Sequence, residues 1–477
     1  MIYIDRNLKM PLHEQVYIRV KDAILQGSFA AGTRLPATRT LAAELGVGRN
    51  TVITAYKNLA DEGYVRSIGG SGFIVQNVRT DLHQTAWTPE KPEEISETPE
   101  IRYDFWYPLT RECWFPKNAW SRALSDALEE IERRRFISYP ERKGSEKLRN
   151  ELAQHLYLSR GVVCSPEQIV ISCGMQFNLE MLLKLFDPAK DTVGMEDPGY
   201  YGVWNVFRSS GFSLHPIPVK SDGLDTASLR RHKLKLLYIT PSHQFPTGAV
   251  LPIDKRMDIL DWAGANKAFI IEDDYDSELQ YNGSPIPSLQ ALDHFDRVIY
   301  TGTFSKSLSS SIRASYMVLP KQLIEPYQKR CGDYLAMVSI LIQTALADLI
   351  ADGSYKRHLD RLRIAFSTKH EAFVKSLDQV FGDRIDIIDR QAGSHLLISV
   401  RNDMSAQELT EAALEMGIKV YPVSEYYLNR KHKADSRLIL GFGGVRNDEY
   451  IDALTKLRDA WFGQNESRGA DTADSDE

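Results

Sequence analysis

Thr301-Gly302-Thr303-Phe304-Ser305-Lys306-Ser307-Leu308-Ser309-Ser310-Ser311-Ile312-Arg313 sets one lysine among hydroxyls, directly after the apolar run Val298-Ile299-Tyr300, with an arginine further along the same loop. A strand that opens into such a loop delivers its side chains to the carboxyl edge of a sheet, where α/β proteins bind ligands. Lysine attacks carbonyls only as the neutral amine, so a site that favours that form permits Schiff-base chemistry near pH 7. The hydroxyls and Arg313 suit a phosphate. The segment fits a lysine that holds an aldehyde; taken alone, a lysine in such a segment is roughly nine times in ten a solvated surface residue.

Outward from this loop, helical patterns alternate with short apolar runs: Ile169-Val170-Ile171, Val193-Gly194-Met195, Lys235-Leu236-Leu237-Tyr238, Phe269-Ile270-Ile271 and Tyr316-Met317-Val318. The alternation predicts an α/β sheet covered by helices. The run at 269–271 opens into Glu272-Asp273-Asp274-Tyr275-Asp276-Ser277-Glu278, and Lys306 follows the next apolar run after Asp273. An acidic cluster after a strand suits a divalent metal or a cationic ring nitrogen. No histidine cluster accompanies it, as a metal would want. A carboxylate that keeps a pyridine nitrogen protonated turns the ring into an electron sink.

The segment 1–79 differs in charge and pattern. It holds ten Lys/Arg against six Asp/Glu, a balance of +4 in a chain whose total is −6, so the remainder carries −10. A basic head on an acidic body suits a polyanion-binding module. Residues 11–27 read as a helix, Thr38–Leu45 as a second ended by Gly46-Val47-Gly48, and Arg49–Glu62 as a third ended by Gly63. Two helices joined by a tight glycine turn form a helix-turn-helix, whose second helix enters the DNA major groove with its first residues, here Arg49, Asn50 and Thr51. Arginine suits guanine, asparagine suits adenine, and threonine reaches a phosphate or a thymine methyl. Two short apolar strands around Gly69-Gly70-Ser71-Gly72 complete a wing.

The stretch LPATRTLAAELGVGRNTVITAYKNLADEGYVRSIGGSGFIV closely resembles a GntR-type winged helix, most specifically at Leu35-Pro36, Leu41-Ala42, Arg49-Asn50-Thr51-Val52, Ala55-Tyr56, Leu59 and Gly63. This implies promoter DNA as a partner and adds Arg34, Arg39 and Gly70 to the DNA face. Residues 101–463 look like a fold type I aminotransferase: a large α/β domain with a smaller C-terminal α+β subdomain from about residue 340. Head and body together resemble the MocR subfamily of GntR-type transcription regulators. The resemblance implies pyridoxal 5'-phosphate, with Lys306 as its Schiff-base lysine, Asp273 on the ring nitrogen, Tyr275 on the phenolic oxygen and Tyr200 stacked on the ring. The phosphate falls to Gly174, Met175 and Gln176, where a helix opens after strand 169–171, and to Thr303, Ser305 and Arg313. Arg437 matches the arginine that binds a substrate carboxylate. Two departures stand out. Asp273-x-Tyr275 replaces the usual Asp-x-x-Tyr, and in Pro241-Ser242-His243-Gln244-Phe245-Pro246-Thr247-Gly248 a phenylalanine replaces the asparagine that usually bonds the phenolic oxygen.

These features imply a transcription regulator that binds promoter DNA and senses an amine or amino acid by external aldimine formation, or senses the cofactor itself. The alternative is an active aminotransferase with an accessory DNA-binding domain. Physiological turnover is not expected, although a half-reaction is compatible with Lys306. Fold type I sites are built between subunits, so a homodimer is implied, head to tail in this family, reading a repeated operator. Residues 80–100, rich in proline and glutamate, are expected to form a flexible linker, and 464–477 a disordered acidic tail. Cys113, Cys164, Cys173 and Cys331 lie apart without a CxxC pair, which argues against zinc and disulfides. With no apolar run of about 18 residues and no signal-peptide core, a cytoplasmic location without membrane contact is expected.

Overall fold

A computed structural model describes residues 3–6, 8–69, 72–77, 100–107, 114–133, 141–279, 287–388, 393–428 and 436–463. The linker at 80–99, the tail from 464, Cys113 and the wing glycine Gly70 lie outside the described residues. The chain divides into two compact units, Met1–Glu97 and Thr98–Glu477.

In the first unit, helices α1 (Leu12–Leu25), α2 (Thr38–Leu45) and α3 (Arg49–Asp61) precede the antiparallel strands β1 (Val65–Ile68) and β2 (Gly72–Val75). Their apolar stripes meet in one core, with Val16, Val20 and Ile24 from α1, Leu41 from α2, and Val52, Ala55, Tyr56 and Leu59 from α3. Gly46 ends α2 in the left-handed region at φ 62°, which costs glycine little, and α3 starts just beyond it at Arg49. Arg49 and Asn50 stand exposed in the first turn of α3, Thr51 is half-buried there, and Arg34 and Arg39 are exposed.

The second unit is built on an eight-stranded sheet in the order Ile169–Ser172, Ser315–Val318, Val298–Thr303, Phe269–Asp273, Leu236–Ile239, Thr192–Asp197, Ser213–Lys220 and Gly223–Leu224. Ser315–Val318 runs antiparallel to both its neighbours, the five strands from Val298–Thr303 to Ser213–Lys220 are mutually parallel, and Gly223–Leu224 closes the far edge antiparallel. Every apolar run read from the sequence lies in this sheet. Ser213–Lys220 was not among them: Pro216 and Pro218 read against a strand, and the fold tolerates them one position from the edge.

A four-stranded antiparallel sheet of Ile385–Ile387, His395–Val400, Arg437–Gly441 and Tyr421–Pro422 forms the smaller subdomain with helices Ala406–Glu415 and Tyr450–Phe462. Its expected start near 340 is corrected by the packing. Helix Ile340–Ala351 buries Ala345, Leu346 and Leu349 against Trp120, Leu148 and Leu152 of the large domain, and the small core begins at Leu362, inside helix Ser354–Phe381. The small subdomain also recruits the start of the unit, since Tyr103–Asp104 pairs in parallel with Ile418–Lys419. Among the described residues no helix is long and apolar enough to cross a membrane, and no group of three or more His, Cys, Asp or Glu is placed to hold a metal ion.

Candidate active site

The parallel strands Phe269–Asp273 and Val298–Thr303 stand in register with Asp273 opposite Thr301, so their carboxyl ends deliver the acidic run and the lysine loop to one place. There, a cavity of about 170 Å³ is lined by Gly174, Met175, Tyr200, Asp273, Tyr275, Thr303, Ser305, Lys306 and Arg313, all expected from the sequence. Gln176 is not in this lining; its side chain donates to the Gly202 carbonyl at 3.3 Å. Arg437 also lies outside it, at the start of its strand, donating to Tyr427 Oη at 2.7 Å.

Lys306 Nζ is buried without a hydrogen-bond partner among the described residues and lies 4.5 Å from the centre of the Tyr107 ring. Burial pushes its amine down to about 8, against the opposing pull of the Asp276 charge. A buried amine close to neutrality is a competent nucleophile for a carbonyl.

Asp273 accepts a 2.5 Å bond from Tyr238 Oη, and burial pushes its carboxyl up to about 7 despite that bond. The other carboxylates of the run do not line the cavity. Glu272 accepts the backbone N–H groups of Leu289 and Gln290, Asp274 pairs with Arg160 at 2.7 Å and accepts from Tyr300 Oη at 2.6 Å, and Asp276 accepts from His243 Nδ1 at 2.6 Å. The run is therefore mostly scaffold. Tyr275 Oη lies 3.1 Å from the same His243 nitrogen.

Elsewhere in the lining, Gly174 precedes helix Met175–Leu183 with φ 133°, and a Cβ on it would stand 2.8 Å from Arg313 Nη2. Arg313 itself adopts φ 50°, and Thr303 Oγ1 donates to Ser305 Oγ at 3.0 Å. A helix N-terminus, a guanidinium and two hydroxyls converge here, the donor set for a phosphate. Gly174→Ala is expected to weaken binding of a phosphorylated ligand by about 1–3 kcal/mol, because only glycine adopts that backbone without strain. Fluorescence titration with pyridoxal phosphate measures it.

Sequence reading missed Tyr107, Tyr238, Thr240 and Gly302 as lining residues, and Phe245 lines the cavity as its place in the 241–248 loop implied. Tyr238 closes a recognised run, and its ligand-facing end was the available signal; Tyr107 had none. Phe245 is buried, 4.8 Å from Tyr107 and 5.0 Å from Tyr426 by ring centroids, so an apolar ring stands where the resemblance has an asparagine.

Residues 12–75 match the model of bacterial regulatory proteins of the gntR family, and residues 114–454 that of aminotransferase class I and II. The chain is 35% identical to the uncharacterized HTH-type transcriptional regulator YdeL of Bacillus subtilis over 96% of this chain and 98% of the other. It is 33% identical to the probable rhizopine catabolism regulatory protein MocR of Rhizobium meliloti over 98% and 97%. In structure it is similar to LysN, an α-aminoadipate aminotransferase of Thermus thermophilus complexed with N-(5'-phosphopyridoxyl)-L-leucine, with TM-score 0.67, 26% identity and coverage of 76% and 92%. The chain belongs to the MocR-type family of HTH-type transcriptional regulators, which join a GntR head to an aminotransferase class I and II body.

Proposed function

We propose that this chain regulates transcription, binding promoter DNA through α3 and the wing, and holding pyridoxal phosphate in the body, where an amine or amino acid exchanges with Lys306. The buried amine of Lys306, without a partner among the described residues and sharing one cavity with the Asp273 carboxylate and the Gly174–Arg313 cradle, carries this reading. Bound pyridoxal phosphate supplies an aldehyde that condenses with neutral amines and a ring that withdraws electrons from them.

Lys306 is the attaching amine. Asp273, oriented by Tyr238, holds a proton on the ring nitrogen; Tyr275 bonds the phenolic oxygen and Tyr200 covers the ring. Arg313, Thr303, Ser305 and the N–H groups opening helix Met175–Leu183 hold the phosphate. Arg437 binds the carboxylate of an amino-acid effector, a task suited to a bidentate guanidinium. An effector that binds two body conformations unequally shifts how a homodimer presents its heads to a repeated operator.

The test is absorbance of the cofactor-loaded protein while amines and amino acids are screened, with promoter binding followed in parallel. A spectral change that alters DNA affinity, without steady turnover of a keto acid, is the expected outcome. Sustained transamination instead establishes an enzyme with an accessory head. Loss of promoter affinity on loading the cofactor alone, with no response to any amine, makes pyridoxal phosphate the signal. For the head, Arg49→Ala is expected to cost about 1–3 kcal/mol of operator affinity, roughly 5–150-fold, with the fold intact because the side chain is exposed. An unchanged gel-shift midpoint rules out Arg49 as a base contact.

A further inference from the structure

A second cavity, of about 580 Å³, lies between the first turns of helices Lys117–Arg133 and Ser354–Phe381. Lys117 and Arg122 line it from one helix, Arg357 and Arg361 from the other, with Trp114 and Phe115 beside them. Positions 357 and 361 are one turn apart and so share a helix face. Among the described residues no carboxylate lines this cavity, and none of the four cations has an ion-pair partner. Arg357 is held in place by bonds to Ser354 Oγ at 2.8 Å and to the Asp352 carbonyl at 3.2 Å.

Residues 101–463 carry a net charge of only −1, so a hollow lined by cations without a carboxylate is a local concentration of positive charge on a nearly neutral body. Like charges in a concavity repel one another, and a bound anion relieves that repulsion. The volume falls in the range of small-molecule sites, about 300–1,000 Å³. Guanidinium groups next to aromatic rings match an anion that carries a flat body.

We infer that this hollow is a second ligand site, separate from the Lys306 cavity, for a small organic polyanion with a flat apolar portion. It has a physical link to the lysine. His358, also in its lining, donates from Nε2 to the carbonyl of Ser307 at 2.5 Å, and Ser307 Oγ bonds Tyr355 Oη of the same helix at 2.8 Å. A ligand that shifts this end of helix Ser354–Phe381 therefore acts on the residue next to Lys306.

The test is calorimetric titration of full-length protein, saturated with pyridoxal phosphate so that the Gly174–Arg313 cradle is filled, with inorganic pyrophosphate and in a separate arm with citrate. One equivalent per chain is expected, with the tighter of the two probes identifying a phosphate or a carboxylate ligand. The double variant Arg357→Ala/Arg361→Ala is expected to bind at least tenfold more weakly. Both side chains are exposed, so its circular dichroism and cofactor absorbance should match the wild type. No heat with either probe, or undiminished binding by the double variant, overturns the inference. So does stoichiometric release of pyrophosphate by a random-sequence DNA duplex, which reassigns the hollow to a DNA backbone contact.

Discussion

Borohydride reduction followed by mass spectrometry is expected to add one phosphopyridoxyl group to the wild-type chain and none to Lys306→Ala. Among the described residues Lys306 is the one lysine in the cavity lining, and burial brings its amine close to neutrality at physiological pH. The variant should still fold. A lysine whose folded pKa is depressed binds a proton less readily than in the unfolded chain, so at neutral pH the folded state gives up stability that returns as pH rises. Removing the amine removes that penalty, and the cofactor-free variant should melt no lower than the wild type at pH 7. An adduct on Lys306→Ala would place the covalent chemistry elsewhere.

Asp273→Ala is expected to reduce cofactor affinity by about 2–5 kcal/mol, roughly 30–4,000-fold, the cost of truncating one partner of a buried, hydrogen-bonded charge pair. Tyr238 Oη, which now donates to Asp273, is left without that acceptor. Asp273→Asn keeps the volume and loses the charge, so a similar loss there assigns the effect to electrostatics. Without cofactor the same carboxyl has the opposite sign of effect. Burial pushes Asp273, Glu196, Glu272 and Glu278 each up to about 7. A folded pKa above the unfolded one contributes stability that is complete below the ordinary carboxylate value and lost as pH rises to about 7. The urea midpoint of the cofactor-free protein should therefore fall between pH 5 and pH 7, and Asp273→Asn should flatten that slope. A midpoint that rises over this interval contradicts the assignment.

Much of the fold was legible because its signals are local. Apolar runs bounded by turns mark strands wherever the sheet is buried on both faces, and Ile270, Ile271, Leu236 and Leu237 are all fully buried. The head was legible for a similar reason: Gly46 and Gly63 punctuate helices whose apolar stripes repeat within one or two turns. Ser213–Lys220 escaped because its pairing partners, and not its own residues, make it a strand. The subdomain boundary escaped because helix Ile340–Ala351 is apolar on most sides and its pattern does not name the core it joins.

Within the acidic run, composition marked a site without separating ligand from scaffold. Asp274 faces Arg160, which lies far back in the chain, and its neighbour Asp273 faces the cavity, a division set by strand alternation together with the position of Arg160. Buried pairing settles the difference electrostatically. Burial alone would raise both carboxyls, but Arg160, Tyr300 and Ser277 hold Asp274 below its ordinary value while Asp273 stays high.

By itself, the sequence determined the two-part plan of a GntR-type winged-helix head on an aminotransferase-like body, and the lysine, carboxylate, glycine and arginine that line one cavity, because each is written close to a strand or helix end. Only the tertiary structure decided what surrounds that lysine. Tyr107 reaches it because Tyr103–Asp104 joins Ile418–Lys419, near the other end of the body, and the Gly441 N–H bonds the Phe105 carbonyl at 2.7 Å. The basic hollow likewise assembles from Lys117–Arg133 and Ser354–Phe381, two helices separated in the chain by the whole of the large sheet. Such contacts depend on how separate elements pack, and packing partners leave no periodic mark in the chain that carries them.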